Sequence, residues 1–149
     1  MNTKYRIKND EDYLELSILG YESGKYHPHD LNWLLLNGKI HKRALTIEGY
    51  DATICMGELI ELGITVGKAL ENSQGFIFAT MEPNFSVEVT DDLKELIIRF
   101  YPENSICRED LFIDEDNEFF TFRKPFMITD LKKLHKWCIA AICNIPRDQ

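Results

Sequence analysis

The residues of this chain best suited to chemistry are its histidines and cysteines, and their tightest grouping is Tyr26-His27-Pro28-His29-Asp30. Two histidines one residue apart project to the same side of an extended chain, and Pro28 favours that extension. Such a pair can share a metal ion, with Asp30 or the distant His41 as third ligand. The same residues also make an ordinary solvated loop. Metal enzymes whose barrels use His-x-His are built on much longer chains, so the loop is the preferred reading. A second pairing is His135 with Cys138, three residues apart near the C-terminus. Cys138 falls on the apolar stripe of that segment, which makes it a core thiol rather than a nucleophile.

Other reaction classes find less support. The acidic run Asp114-Glu115-Asp116-Asn117-Glu118 begins like a calcium loop. It then has Phe119 where such a loop needs glycine and Pro125 where it needs a bidentate glutamate. No Gly-x-Ser-x-Gly elbow is present, and Gly63 to Ala69 contains a Gly-Lys pair without phosphate-loop spacing. Cysteines 55, 107, 138 and 143 form no Cys-x-x-Cys pair and no zinc-finger spacing, so they read as reduced thiols. No cofactor is implied, and the chain is not expected to be an enzyme. The surviving enzyme alternative is a small metal- or thiol-dependent catalyst using His27, His29 or Cys107.

The elements that would position these groups follow from periodicity. Tyr13 to Leu19 alternates apolar and polar residues, the signature of a half-buried strand closed by Gly20. A loop spans 21–32. A strand is expected from Trp33 to Leu36, a hairpin turn at Asn37-Gly38, and a strand from Ala44 to Ile54 with a bulge or bend at Gly49. Met56, Leu59, Ile60, Gly63, Ile64, Gly67 and Leu70 then recur at helical intervals. Gly63 and Gly67 on that stripe are expected to let the helix approach a sheet closely. Four strands follow, near 76–81, 85–90, 96–101 and 119–123. A last helix is capped by Thr129-Asp130 and buries Leu131, Leu134, Cys138, Ala141 and Ile142. Short turns between successive strands require antiparallel pairing. The fold class is therefore α+β, with about seven strands in mainly antiparallel layers, a central helix and a C-terminal helix, in a single domain over 1–149.

Composition narrows the partners. The chain has 149 residues, ordinary hydrophobic content and no apolar run of membrane-spanning length. Its N-terminus turns polar and charged where a signal peptide needs an apolar stretch, so the expected location is the cytoplasm. With 25 acidic and 17 basic residues the formal charge is −8. Nucleic acids and anionic membranes are repelled by such a chain, and a basic protein is attracted.

Two polar-aromatic islands point to a family. Tyr13 to Glu22 ends an alternating strand in Gly-Tyr-Glu, and Asp30-Leu31-Asn32-Trp33-Leu34 is similar to an Asp-x-Asn-Trp-Leu pattern. Glu82-Pro83-Asn84-Phe85-Ser86 opens a strand after the central helix. Together they resemble the WapI-like family of bacterial immunity proteins, small cytoplasmic partners of contact-dependent or polymorphic toxins. The stretch from Ile106 to Phe122 and the C-terminal helix with Trp137 depart from that resemblance. It implies an immunity protein that binds a cognate toxin domain and blocks it stoichiometrically, many such toxins being nucleases with basic substrate grooves. The contact surface is assigned to Glu109, Asp110, Asp114, Glu115, Asp116 and Glu118. Asp30, Asn32 and Trp33 are assigned to fold maintenance. A housekeeping interaction module is the remaining alternative.

Overall fold

The computed structural model describes residues 4–82, 84–101 and 120–146. Alternation begins earlier than expected. Tyr5 and Ile7 turn inward while Lys4, Arg6 and Lys8 face solvent, forming strand β1 (Lys4–Asn9). Its outward cations hide the alternation, since only Tyr5 and Ile7 are apolar in that stretch. Strands β2 (Asp12–Tyr21), β3 (Trp33–Lys42) and β4 (Leu45–Cys55) follow, and β1 to β4 pair antiparallel in chain order. Helix α1 (Met56–Asn72) leads to a second antiparallel sheet in chain order. It contains β5 (Phe76–Ala79), β6 (Phe85–Val89), β7 (Glu95–Phe100) and β8 (Thr121–Pro125). Helix α2 (Ile128–Asn144) closes the chain. The α+β class and both helices stand as expected, with eight strands among the described residues where about seven were expected.

The hairpin expected at Asn37-Gly38 is corrected: both residues lie inside β3. The reversal comes at Arg43-Ala44, whose φ angles of 55° and 66° suit a two-residue turn with both central residues left-handed. Asn37 instead donates from Nδ2 to Glu48 on the neighbouring strand, at 2.9 Å. Gly38 is demanded by packing between sheets. A β-carbon there would lie 2.2 Å from Cδ2 of Phe100 on β7, so only glycine leaves room for that ring. Gly49 sits opposite Gly38 in regular register, and the irregularities fall at Ile18/Gly20 and Leu34/Leu36. Phe85 meets both Phe78 and Phe100 edge-on, with ring centroids 6.5 and 6.3 Å away. One buried cluster draws side chains from both sheets and both helices.

The helices also pack differently from expectation. Ile64, placed on the α1 stripe, is exposed, whereas Leu62, Val66 and Ala69 are buried. Gly63 and Gly67 face α2, against Cys138 and His135, rather than a sheet. The helix is apolar toward the sheets and small toward α2, so a single stripe misjudges it. Thr129-Asp130 does not cap α2, which starts one residue earlier with Met127 as N-cap. Asp130 is turned inward to a buried ion pair with Lys124 of β8. Its backbone carbonyl accepts the Tyr5 hydroxyl at 3.1 Å. Trp137, absent from the expected stripe, is buried with its ring centroid 6.2 Å from that of Tyr5.

Two substitution series test this packing in urea unfolding. Gly38→Ala costs about 1–3 kcal/mol through overpacking. Its combination with Phe100→Leu costs less than the sum of the two alone, because both act on one contact. Lys124→Met strands a buried carboxylate and costs about 3–5 kcal/mol, while Lys124→Met with Asp130→Leu costs less than that single change.

Candidate interaction surfaces

Both polar-aromatic islands converge on the first turn of α1. The Met56 N–H donates to the Asn32 carbonyl at 3.1 Å. Asn32 itself has φ 58°, a left-handed conformation that asparagine tolerates better than most residues. Its side chain knots the preceding loop. Oδ1 accepts the His27 N–H at 2.8 Å, and Nδ2 donates to the carbonyls of His27 and Asp30 at 2.9 and 3.0 Å. Trp33, half-buried, offers its carbonyl to the Glu22 N–H at 2.8 Å.

The second island is tied to the same helix by Glu58. One carboxylate oxygen accepts the Cys55 N–H at 3.1 Å and the other accepts the Met81 N–H at 2.7 Å. Asn84 donates from Nδ2 to Asp51 of β4 at 2.9 Å, and its carbonyl accepts the Tyr101 N–H at 2.9 Å. These bonds satisfy helix and turn backbone that would otherwise lack partners. The islands are structural joints. Exposed Leu31 and Met81 are the apolar side chains they leave at the surface.

The candidate reactive groups are dispersed. His29 is exposed with φ 70°, while His41 stacks on Tyr13 with centroids 5.1 Å apart and shares a 2.6 Å hydrogen bond with Thr46. Among the described residues, no three His, Cys, Asp or Glu side chains group closely enough to hold a metal ion. His135 and Cys138 each pack on a different glycine of α1. Burial pushes the Cys138 thiol up to about 12, which keeps it protonated and unreactive at neutral pH. Cys107 lies outside the described residues, as do Glu109, Asp110, Asp114, Glu115, Asp116 and Glu118.

Three hollows mark the described surface. One of about 310 Å³ lies beside Tyr21, whose hydroxyl donates to the Pro146 carbonyl at 2.7 Å. Another, about 320 Å³, is lined by Glu22, His27, Asp30 and Trp33. The third, about 260 Å³, runs between β1 and α2, with Lys4 and Arg6 on one wall and Lys133 and Lys136 on the other. None of the three contains a cysteine.

The solvent face of the first sheet is well organised. Across the four strands Arg6, Glu15, Lys39 and Glu48 stand in register, so charge alternates from strand to strand. Glu15 holds Arg6 at 2.9 Å and Lys4 at 3.6 Å, and Arg6 lies 4.3 Å above the Tyr13 ring. Sequence reasoning missed this face together with β1. Alternation of Lys4, Arg6 and Lys8 with Tyr5 and Ile7 was the signal that could have found it.

A family model, the immunity protein WapI-like family, matches residues 6–123. That span runs from β1 to β8 and ends before α2. No curated protein and no solved structure matches the chain. No helix among the described residues is long and apolar enough to cross a membrane.

The Cys138 environment predicts an alkaline effect of definite sign. The unfolded thiol ionises near its ordinary 9.0, whereas the folded one holds its proton to about 12. Stability is complete below the lower value and falls as pH rises between them. Burial raises the Tyr5 hydroxyl in the same direction, starting from its ordinary 10.0. Cys138→Ala should flatten the alkaline decline in thermal melts while leaving the Tyr5 part. In the folded protein at pH 8, a thiol reagent should label the exposed Cys143 and spare Cys138.

Proposed function

We propose, from the premise that this chain belongs to the immunity protein WapI-like family, that it binds a cognate toxin domain and neutralises it by stoichiometric blocking. Membership of an immunity family implies a toxin protein as partner, and the family match over residues 6–123 is the observation that carries the reading. On this reading the protein works in the cytoplasm, catalyses nothing and needs no cofactor. The whole of 1–149 acts as one domain.

The charge of −8 supports a basic target. A nuclease with a substrate groove lined by lysine and arginine meets that requirement. An acidic surface would compete for such a groove and accelerate encounter. We assign the contact to Glu109, Asp110, Asp114, Glu115, Asp116 and Glu118, whose charges crowd one short stretch of chain. Their joint field attracts cationic side chains more strongly than dispersed carboxylates do, and salt weakens it.

The test is rescue of cells that express the partner toxin domain, to be sought as the variable C-terminal region of a large secreted protein encoded upstream. Co-expression should restore growth, and the two proteins should co-purify in equal amounts. Reversing Asp114, Glu115 and Asp116 to lysine should slow association and weaken affinity at low salt, with the melting temperature nearly unchanged. Unaltered affinity in that triple variant removes the acidic stretch from the interface.

A further inference from the structure

The groove between β1 and α2 gathers cations from two elements in a chain that is otherwise acidic. Lys4, Arg6, Lys133 and Lys136 line it, with Trp137 and Ala140 between them. Lys8 continues the β1 row in the same alternating phase. Glu15 is the one carboxylate paired with this set among the described residues, and it is shared by Lys4 and Arg6. Lys8, Lys133 and Lys136 have no carboxylate partner among those residues. The floor is fixed: Trp137 packs on Tyr5, and the Tyr5 hydroxyl is held by the Asp130 carbonyl.

Lysines on an edge strand can serve only to discourage pairing with other chains. That role accounts for Lys4, Arg6 and Lys8. It does not account for Lys133 and Lys136, which stand on a helix and close the opposite wall. Those two are one helical turn apart and present their charges on the same face. Like charges facing each other across a groove destabilise it unless something negative lies between them.

We infer that this groove docks an acidic, extended segment of a partner protein. In an extended segment successive side chains point to opposite sides, and alternate ones are roughly 6.6–6.8 Å apart. That repeat matches the spacing of Lys4 and Arg6 along β1. Carboxylates at one set of positions therefore reach β1, and those at the other set reach α2. A protein segment fits better than nucleic acid, because the groove is short and the chain around it carries net negative charge that repels a long polyanion. The β1 wall lies within or beside the matched family span, whereas the α2 wall lies beyond it. The residues lining this groove are not among those assigned to the toxin contact, so either assignment can fail without the other.

The experiment is fluorescence anisotropy of a short labelled oligoglutamate peptide, titrated with the full chain at low salt. Binding should weaken steeply as salt is added, and oligolysine should not bind. Peptide addition should shift backbone amide signals of β1 and of residues 133–140. Lys133→Glu with Lys136→Glu should weaken binding at least about tenfold, as expected for reversing two charges at a contact. Should that variant fold poorly, Lys133→Gln with Lys136→Gln keeps the test, with a smaller loss in the same direction. Three results overturn the inference: no peptide binding, binding indifferent to the α2 substitutions, or tighter binding of an oligothymidylate of equal charge. Self-association abolished by the same substitutions, without peptide binding, assigns the groove to a second copy of this chain and overturns it as well.

Discussion

The first four N–H groups of a helix have no partner within it, and in α1 their surroundings connect both sheets. Met56 donates to the Asn32 carbonyl at the mouth of β3, and Glu58 accepts from Cys55 at the end of β4. The second oxygen of Glu58 accepts from Met81 in the turn before β6. One helical turn thus joins the first sheet, the loop before β3 and the second sheet. The loops owe their shape to that requirement. Asn32 adopts a left-handed backbone because its carbonyl must face α1 while its side chain closes the loop behind it.

Packing on either side of α1 follows from side-chain size. Toward the sheets it presents Leu59, Leu62 and Val66, all fully buried, and these close the core around Phe85, Phe100 and Phe122. Toward α2 it presents Gly63 and Gly67, where Cys138 and His135 lie near the positions β-carbons would occupy. Leaving space at the helix contact and at Gly38 lets large rings fill the middle of the molecule. High packing density is reached by pairing small with large residues, as in other protein interiors.

Charge is distributed unevenly over this frame. The chain as a whole is strongly acidic, yet the β1 edge and the adjoining side of α2 are basic. Across the solvent face of the first sheet, carboxylates and cations alternate in register, and Glu15 holds Arg6 and Lys4. A protein that, as proposed, occupies another protein's surface gains from such order. Side chains already held by neighbours lose little freedom on binding.

Much of the architecture was legible in the residues. Period-two alternation in 13–19 and 85–90 identified strands, helical spacing from Met56 and from Leu131 identified both helices, and the islands at 30–34 and 82–86 pointed to the family that residues 6–123 match. What misled was local chemistry with a distant cause. Asn37-Gly38 has the composition of a turn, but its glycine answers to Phe100, more than sixty residues later. Thr129-Asp130 has the composition of a cap, but Asp130 answers to Lys124 inside the fold. β1 escaped notice because its outward residues are cations, whose neighbours on α2 become visible only in three dimensions. By itself the sequence determined element type and family, since periodicity and short motifs are written in neighbouring residues. Tertiary structure alone decided which glycines make room, which carboxylate is buried and where the basic groove opens, because each depends on atoms that only folding brings within contact distance.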